Sequence, residues 1–114
     1  MDERKLRQAG IDYDAALARF VGKYTILEKY LNKFLDDTHL EEARLAYERQ
    51  DYEEMLEQTH ALKGLAGTLG MTELFEVSAD IVDDLRGGRT EDLGKKMSCL
   101  EKVQEKLCDV IRSA

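Results

Sequence analysis

The feature that most constrains this chain is the recurrence of apolar residues in steps of three and four, which is the period of an amphipathic α-helix. The sequence has no proline, and its eight glycines mostly separate these periodic stretches. All-β architectures need frequent proline and glycine turns, so this composition disfavours them. The fold class predicted is therefore all-α. Helices are expected from Asp12 to just before Gly22, over 23–37, 38–50, 52–69 and 74–85, and from Thr90 to the C-terminus.

Four of these helices are substantial and the connections are short, a combination best satisfied by an antiparallel up-down four-helix bundle. At 114 residues the chain has room for one core. Residues 1–10 read as a charged lead-in and residues 11–114 as a single domain, whose short first helix, capped by Asp12, forms a lid. Thr38 and Glu41 fit a capping box at the start of the helix expected over 38–50. Thr90 is the expected N-cap of the last helix.

The charge balance excludes several classes of partner. Seventeen Lys and Arg against twenty-four Asp and Glu give a net charge of −7, which repels a phosphate backbone. No apolar run approaches the ~20 residues of a spanning helix, and the first nine residues carry no signal-like apolar segment. We therefore expect a soluble, cytoplasmic monomer that binds neither nucleic acid nor membrane.

The two cysteines point to a reducing compartment. Cys99 and Cys108 are expected on one helix, ~13 Å apart along its axis and on opposite faces, so they cannot pair with each other. Neither has a second ligand at a metal-site spacing. We expect two free thiols and no metal site in this chain.

One helix departs from good helix-forming composition. Between Tyr52 and Leu69, Gly64 and Gly67 occupy interior positions, where each glycine costs about 1 kcal/mol relative to alanine. On a helical wheel both lie near His60 and Lys63, on the face turned away from the bundle core. The backbone beside an outward-facing histidine is thus free of side chains, although Gly67 is equally explained by close packing against a neighbouring helix.

An exposed imidazole with cleared space beside it suits attack on a phosphoryl group brought by another protein. Lys63, one turn on, would offset part of the roughly −2 charge of the phosphorylated ring. Leu56 and Met71 lie near the same meridian, which predicts an apolar rim for docking.

These residues match a known motif, and the chain resembles the histidine-containing phosphotransfer (HPt) domains of bacterial and plant phosphorelays. The family pattern reads H-x-L-K-G-x-A-x-x-L-G. Every fixed position of the pattern is matched here, by His60, Leu62, Lys63, Gly64, Ala66, Leu69 and Gly70.

The resemblance implies a four-helix bundle whose histidine accepts a phosphoryl group from a receiver-domain aspartate and passes it on, with Mg²⁺ supplied by the receiver. It implies that His60 is the phosphoacceptor, that Lys63 stabilises the phosphoryl group, and that Gly64 lets the partner approach. Response-regulator receivers and hybrid or sensor histidine kinases are the implied partners. The chain itself is then a phosphohistidine carrier without kinase activity.

The sequence leaves other interpretations open. Many members carry a glutamate where this chain has Val82, with Asp83 and Asp84 adjacent, which puts partner choice in question. The runner-up function is an interaction module of the same fold that performs no chemistry. A metal-binding bundle is a third, but Glu57 and His60 form only one of the Glu-x-x-His pairs such sites use. We interpret His39 as a solvated loop histidine.

Overall fold

A computed structural model describes all 114 residues and contains helices without strands, which confirms the all-α prediction. None of the helices is both long and apolar enough to cross a lipid bilayer. Seven helices follow one another along the chain: α1 (Glu3–Gln8), α2 (Tyr13–Arg19), α3 (Tyr24–Phe34), α4 (His39–Glu48), α5 (Tyr52–Thr68), α6 (Thr72–Arg86) and α7 (Leu93–Ser113).

Helices α4 to α7 form the bundle. Each packs against the next, and α7 also packs against α4, which closes the ring, while α3 lies on α7. Consecutive partners are joined by short turns, so they run antiparallel. Every helix contributes to one continuous core of 23 buried residues, whose largest fully buried side chains include Phe34, Leu62, Leu74, Ile81 and Leu100.

Helix α2 lies over the turn between α5 and α6, as expected for a lid. The Asp12 carboxylate accepts a hydrogen bond from the Ala15 N–H and so caps α2 as predicted, while the Asp12 N–H donates to the Gly70 carbonyl at 2.8 Å. Ile11 and Met71 form an isolated antiparallel bridge beside it. The lid is therefore attached to the residues that follow the histidine helix by a backbone hydrogen bond, beside the Ile11–Met71 bridge.

The first ten residues are not a lead-in, and that prediction is wrong. Glu3–Gln8 form α1, with the Asp2 side chain accepting from the Lys5 N–H as its cap. Leu6 is fully buried in the core, and the Asp2 N–H donates to the Ala114 carbonyl at 2.9 Å. A single apolar residue among charged neighbours gives no periodicity to detect, so the sequence pattern missed a helix that tertiary packing stabilises.

Two predicted helix caps are also wrong. Thr38 makes no side-chain cap to α4; instead the Asp37 carboxylate accepts from the His39 N–H at 3.1 Å. Thr90 does not begin the last helix, because α7 starts at Leu93 without a side-chain cap. Helix α5 does have a side-chain cap, since the Asp51 carboxylate accepts a hydrogen bond from the Glu54 N–H at 3.1 Å.

A partly buried ion pair links α6 to α7. Asp84 is 7% exposed and accepts hydrogen bonds from the Lys96 ammonium at 2.6 Å and from Arg89 at 3.3 Å. The hydrogen bond from Lys96 holds the pKa of the Asp84 carboxyl below its usual range. At the positions where the sequence departs from the family pattern, Val82 is fully buried and Asp83 is exposed.

Candidate functional site

His60 lies in the middle of α5 with its side chain in solvent. The opposite face of the helix carries the buried residues Met55, Thr59, Leu62 and Ala66, which pack into the core. The prediction that His60 is exposed is confirmed. The histidine that contacts a carboxylate in this structure is His39, and the His60 ring has no protein hydrogen-bond partner. Both ring nitrogens of His60 are therefore available to an incoming group.

Lys63 lies one turn after His60, where side chains on one helix face are about 5–6 Å apart at their Cβ atoms. Its ammonium is 5.7 Å from the centre of the Phe75 ring on α6, within the range of a cation–π contact. No carboxylate forms an ion pair with it. The ammonium of Lys63 thus lies against the Phe75 ring without being neutralised by a carboxylate.

Gly64 has no structural reason to be glycine. It is exposed, and a Cβ added to it would meet no atom within 4 Å. Its helical backbone conformation is open to any residue, since its φ is not positive. A glycine here forfeits about 1 kcal/mol of helix stability relative to alanine, with no internal contact in return. No contact inside the folded chain therefore explains why this position is a glycine.

Gly67 lies three residues further along α5 but has a different environment. A Cβ added there would lie 3.3 Å from Cδ2 of the Phe75 ring. The missing side chain lets α6 bring that ring against the backbone of α5. Of the two explanations left open for Gly67, close packing with a neighbouring helix is the one that the geometry displays.

The predicted apolar rim is only partly present. Met71 is 1% exposed and belongs to the core, so the prediction that it lines a docking surface is wrong. The helical wheel placed it near His60, but Gly70 adopts φ +69° and ends the helical path before Met71. Leu56, one turn before His60, is partly exposed, and its part in docking stays a prediction.

His39 has a partner that the sequence did not indicate. Its Nδ1 lies 2.8 Å from one Asp37 carboxylate oxygen and 3.0 Å from the other. The interpretation as a freely solvated loop histidine is wrong in this respect. The pairing joins residues two apart at a helix start, where the periodic pattern has no predictive value.

Sequence reasoning missed Phe75 and a groove beside it. Phe75 is 38% exposed on α6 and contacts both Lys63 and Gly67. The signal available was an aromatic residue between the exposed glutamates at 73 and 76. A cavity of about 180 Å³ opens between the lid and the α5–α6 junction; its lining includes Asp12, Ala15, Arg19, Gly67, Thr72 and Phe75.

The ionisable residues do not gather into a metal centre. No group of three or more His, Cys, Asp or Glu side chains is placed to hold a metal ion. Cys99 is exposed, Cys108 is buried, and both are free. What the arrangement offers chemically is one nucleophilic ring, one uncompensated ammonium and a bare patch of helix surface.

One comparison with known proteins found a match. The family model described as the Hpt domain matches residues 29–112, which is most of the chain and includes His60, Lys63 and Gly64. No curated protein and no solved structure shows significant similarity to the chain.

Proposed function

The chain belongs to the Hpt domain family, which implies histidine phosphotransfer in two-component phosphorelays, and from that premise we propose a specific role. The protein is a phosphorelay intermediate that takes a phosphoryl group onto His60 from a receiver-domain aspartyl phosphate and passes it to an aspartate of another receiver. The observation that carries the proposal is the exposed, unpartnered His60 ring beside Gly64, whose missing side chain clears the approach.

For phosphoryl transfer, this chain has to supply little more than a correctly positioned nucleophile. The lone pair of an unprotonated His60 ring nitrogen attacks phosphorus while the phosphorus–oxygen bond to the receiver aspartate breaks, and the bonding electrons leave with the carboxylate. In the second transfer, another receiver carboxylate attacks phosphorus and the electrons of the phosphorus–nitrogen bond return to the ring. The resemblance implies that Mg²⁺ comes with the receiver, and we assign no metal ligand to this chain.

The proposed partners approach the face around His60. Response-regulator receiver domains, and hybrid or sensor histidine kinases, would contact the bare surface at Gly64 with Leu56 and the Gly67 region beside it. We propose that the protein works as a monomer in the cytoplasm, where its two free thiols are compatible with reducing conditions.

Changing Lys63 to alanine is expected to shorten the phosphohistidine lifetime or slow transfer roughly two- to fivefold without preventing uptake, because a partly screened charge contributes modestly. The measurement is decay of labelled protein and transfer to a receiver. Lys102→Ala, an exposed lysine on α7, removes the same charge far along the sequence and should have no effect. Equal behaviour of the two variants would make Lys63 an ordinary surface lysine.

Changing Gly64 to alanine is expected to move stability and function in opposite directions. The free energy of unfolding should rise by about 1 kcal/mol, since the new methyl group meets nothing inside the protein. Phosphoryl transfer from a receiver should fall roughly tenfold or more, because the methyl group keeps the partner from its reactive approach. Urea unfolding and transfer kinetics measure the two effects.

Ser98→Ala is the matched control for Gly64→Ala. It lies at an exposed position of α7, so it should gain a few tenths of a kcal/mol of helix stability and leave transfer unchanged. Unchanged transfer in Gly64→Ala as well would show that the space at Gly64 is not used by a partner.

The experiment that tests the proposed function is transfer from a panel of receiver domains charged with a radiolabelled small phosphodonor. The expected result is acid-labile, base-stable label on this protein from at least one receiver, followed by loss of that label to a second receiver. Stable binding to receivers without label, in a panel that labels another HPt domain, would favour the non-catalytic interaction module instead.

A further inference from the structure

We propose that Phe75 is a positioning residue for Lys63: its ring, packed against α5 at Gly67, restricts the ammonium to the face of α5 that carries His60 and leaves its charge available to the phosphoryl group. The inference rests on the proposed function, because the role of Lys63 does. It adds a residue of α6, outside the phosphotransfer motif, to the site.

The Phe75 ring packs against α5 at Gly67. A Cβ at Gly67 would lie 3.3 Å from Cδ2 and 3.5 Å from Cε2 of Phe75, so the ring edge occupies space beside α5 that a side chain at this position would crowd. Phe75 nevertheless remains partly in solvent, with 38% of the residue exposed. A large apolar side chain thus stays at the surface with one of its faces available to a cation.

Lys63 makes a cation–π contact with the Phe75 ring. Its ammonium lies 5.7 Å from the ring centre, although the exposed carboxylates of Glu73 and Glu76 flank Phe75 in the sequence. The chain carries twenty-four acidic residues, and Lys96 on α7 shows the alternative, since its ammonium bridges Asp80 and Asp84 at 3.1 and 2.6 Å. The two lysines are therefore anchored by different chemistry.

The difference matters for phosphoryl transfer. A carboxylate beside Lys63 would restrict the side chain but would also cancel its positive charge and add repulsion toward an incoming phosphoryl group. An aromatic ring attracts the ammonium through its quadrupole and carries no net charge. Phe75 therefore limits the conformations of Lys63 at no electrostatic cost, and its weak hold lets the ammonium move to the phosphoryl oxygens when His60 is modified.

The test compares Phe75→Leu, which keeps apolar volume but removes the ring face, with Phe75→Tyr, which keeps the ring. Phe75→Leu is expected to shorten the phosphohistidine lifetime or slow transfer by roughly two- to fivefold, the fold-change that an exposed cation–π contact can supply. Phe75→Tyr should stay close to wild type. Thermal unfolding of each variant checks that the bundle is intact.

A double-variant cycle separates positioning from docking or packing. In the Lys63→Ala background, Phe75→Leu should have no further effect, because there is no ammonium left to position. An equal loss in both backgrounds, or an unchanged lifetime in Phe75→Leu alone, overturns the inference.

A readout independent of phosphotransfer is the proton chemical shift of the Lys63 ε-methylene group. Ring currents should shift it upfield in wild type and in Phe75→Tyr, and the shift should vanish in Phe75→Leu. Absence of any label on wild-type His60 would mean that the proposed function has failed. A labelled wild type with no ring-current shift at Lys63 would mean that only this inference has failed.

Discussion

His60→Gln is expected to abolish phosphoryl uptake from every receiver that labels the wild-type protein, while changing the free energy of unfolding by less than about 0.5 kcal/mol. Glutamine has no nucleophilic nitrogen, so the chemistry is lost outright. Stability is spared because the ring is exposed and has no hydrogen-bond partner in the protein. The measurements are acid-labile label after incubation with a charged receiver, and urea unfolding.

His39→Gln is the matched control, since the chain contains only these two histidines. His39 is bonded to Asp37 at the start of α4, so its replacement should cost some stability but leave labelling intact. Label retained in His60→Gln and lost in His39→Gln would move the phosphoacceptor to the other histidine. A large fall in stability in His60→Gln would contradict the exposed position of the ring.

Gly70→Ala is expected to be the most destabilising of the substitutions considered, at roughly 2 kcal/mol or more. Gly70 has φ +69°, a conformation that costs an ordinary residue about 1–2 kcal/mol. Its added Cβ would also lie 2.5 Å from the Asp12 carbonyl oxygen and 3.3 Å from the Ala16 methyl carbon. The Asp12 carbonyl belongs to the backbone and cannot move aside as the end of a flexible side chain could. The lid helix must therefore shift to accommodate the alanine.

Gly88→Ala isolates the conformational part of that cost. Gly88 has φ +70°, yet a Cβ there would meet nothing within 4 Å. The amount by which Gly70→Ala exceeds Gly88→Ala in urea unfolding therefore reports the contact with the lid. Hydrogen exchange at the Asp12 amide, which donates to the Gly70 carbonyl, should accelerate only in Gly70→Ala. Equal losses in the two variants would show that the lid moves aside freely.

The sequence was most informative where local physics decides the outcome. Period-three-and-four apolar spacing identified the major helices, and it placed His60 outward because helical geometry relates side chains within one helix irrespective of the neighbours. The same spacing failed at Met71, because the wheel was extended past Gly70, where the chain leaves the helix. It also failed at Leu6, a single buried side chain in a helix too short to show a period.

By itself, then, the sequence determined the helical fold class, the exposed histidine and the lysine one turn on, all properties of one helix and its periodicity. Only the tertiary structure distinguishes the environments of Gly64 and Gly67. Gly64 faces open space, whereas Gly67 receives the Phe75 ring from α6. No spacing along α5 distinguishes them, because the difference lies in what a second helix brings to each position.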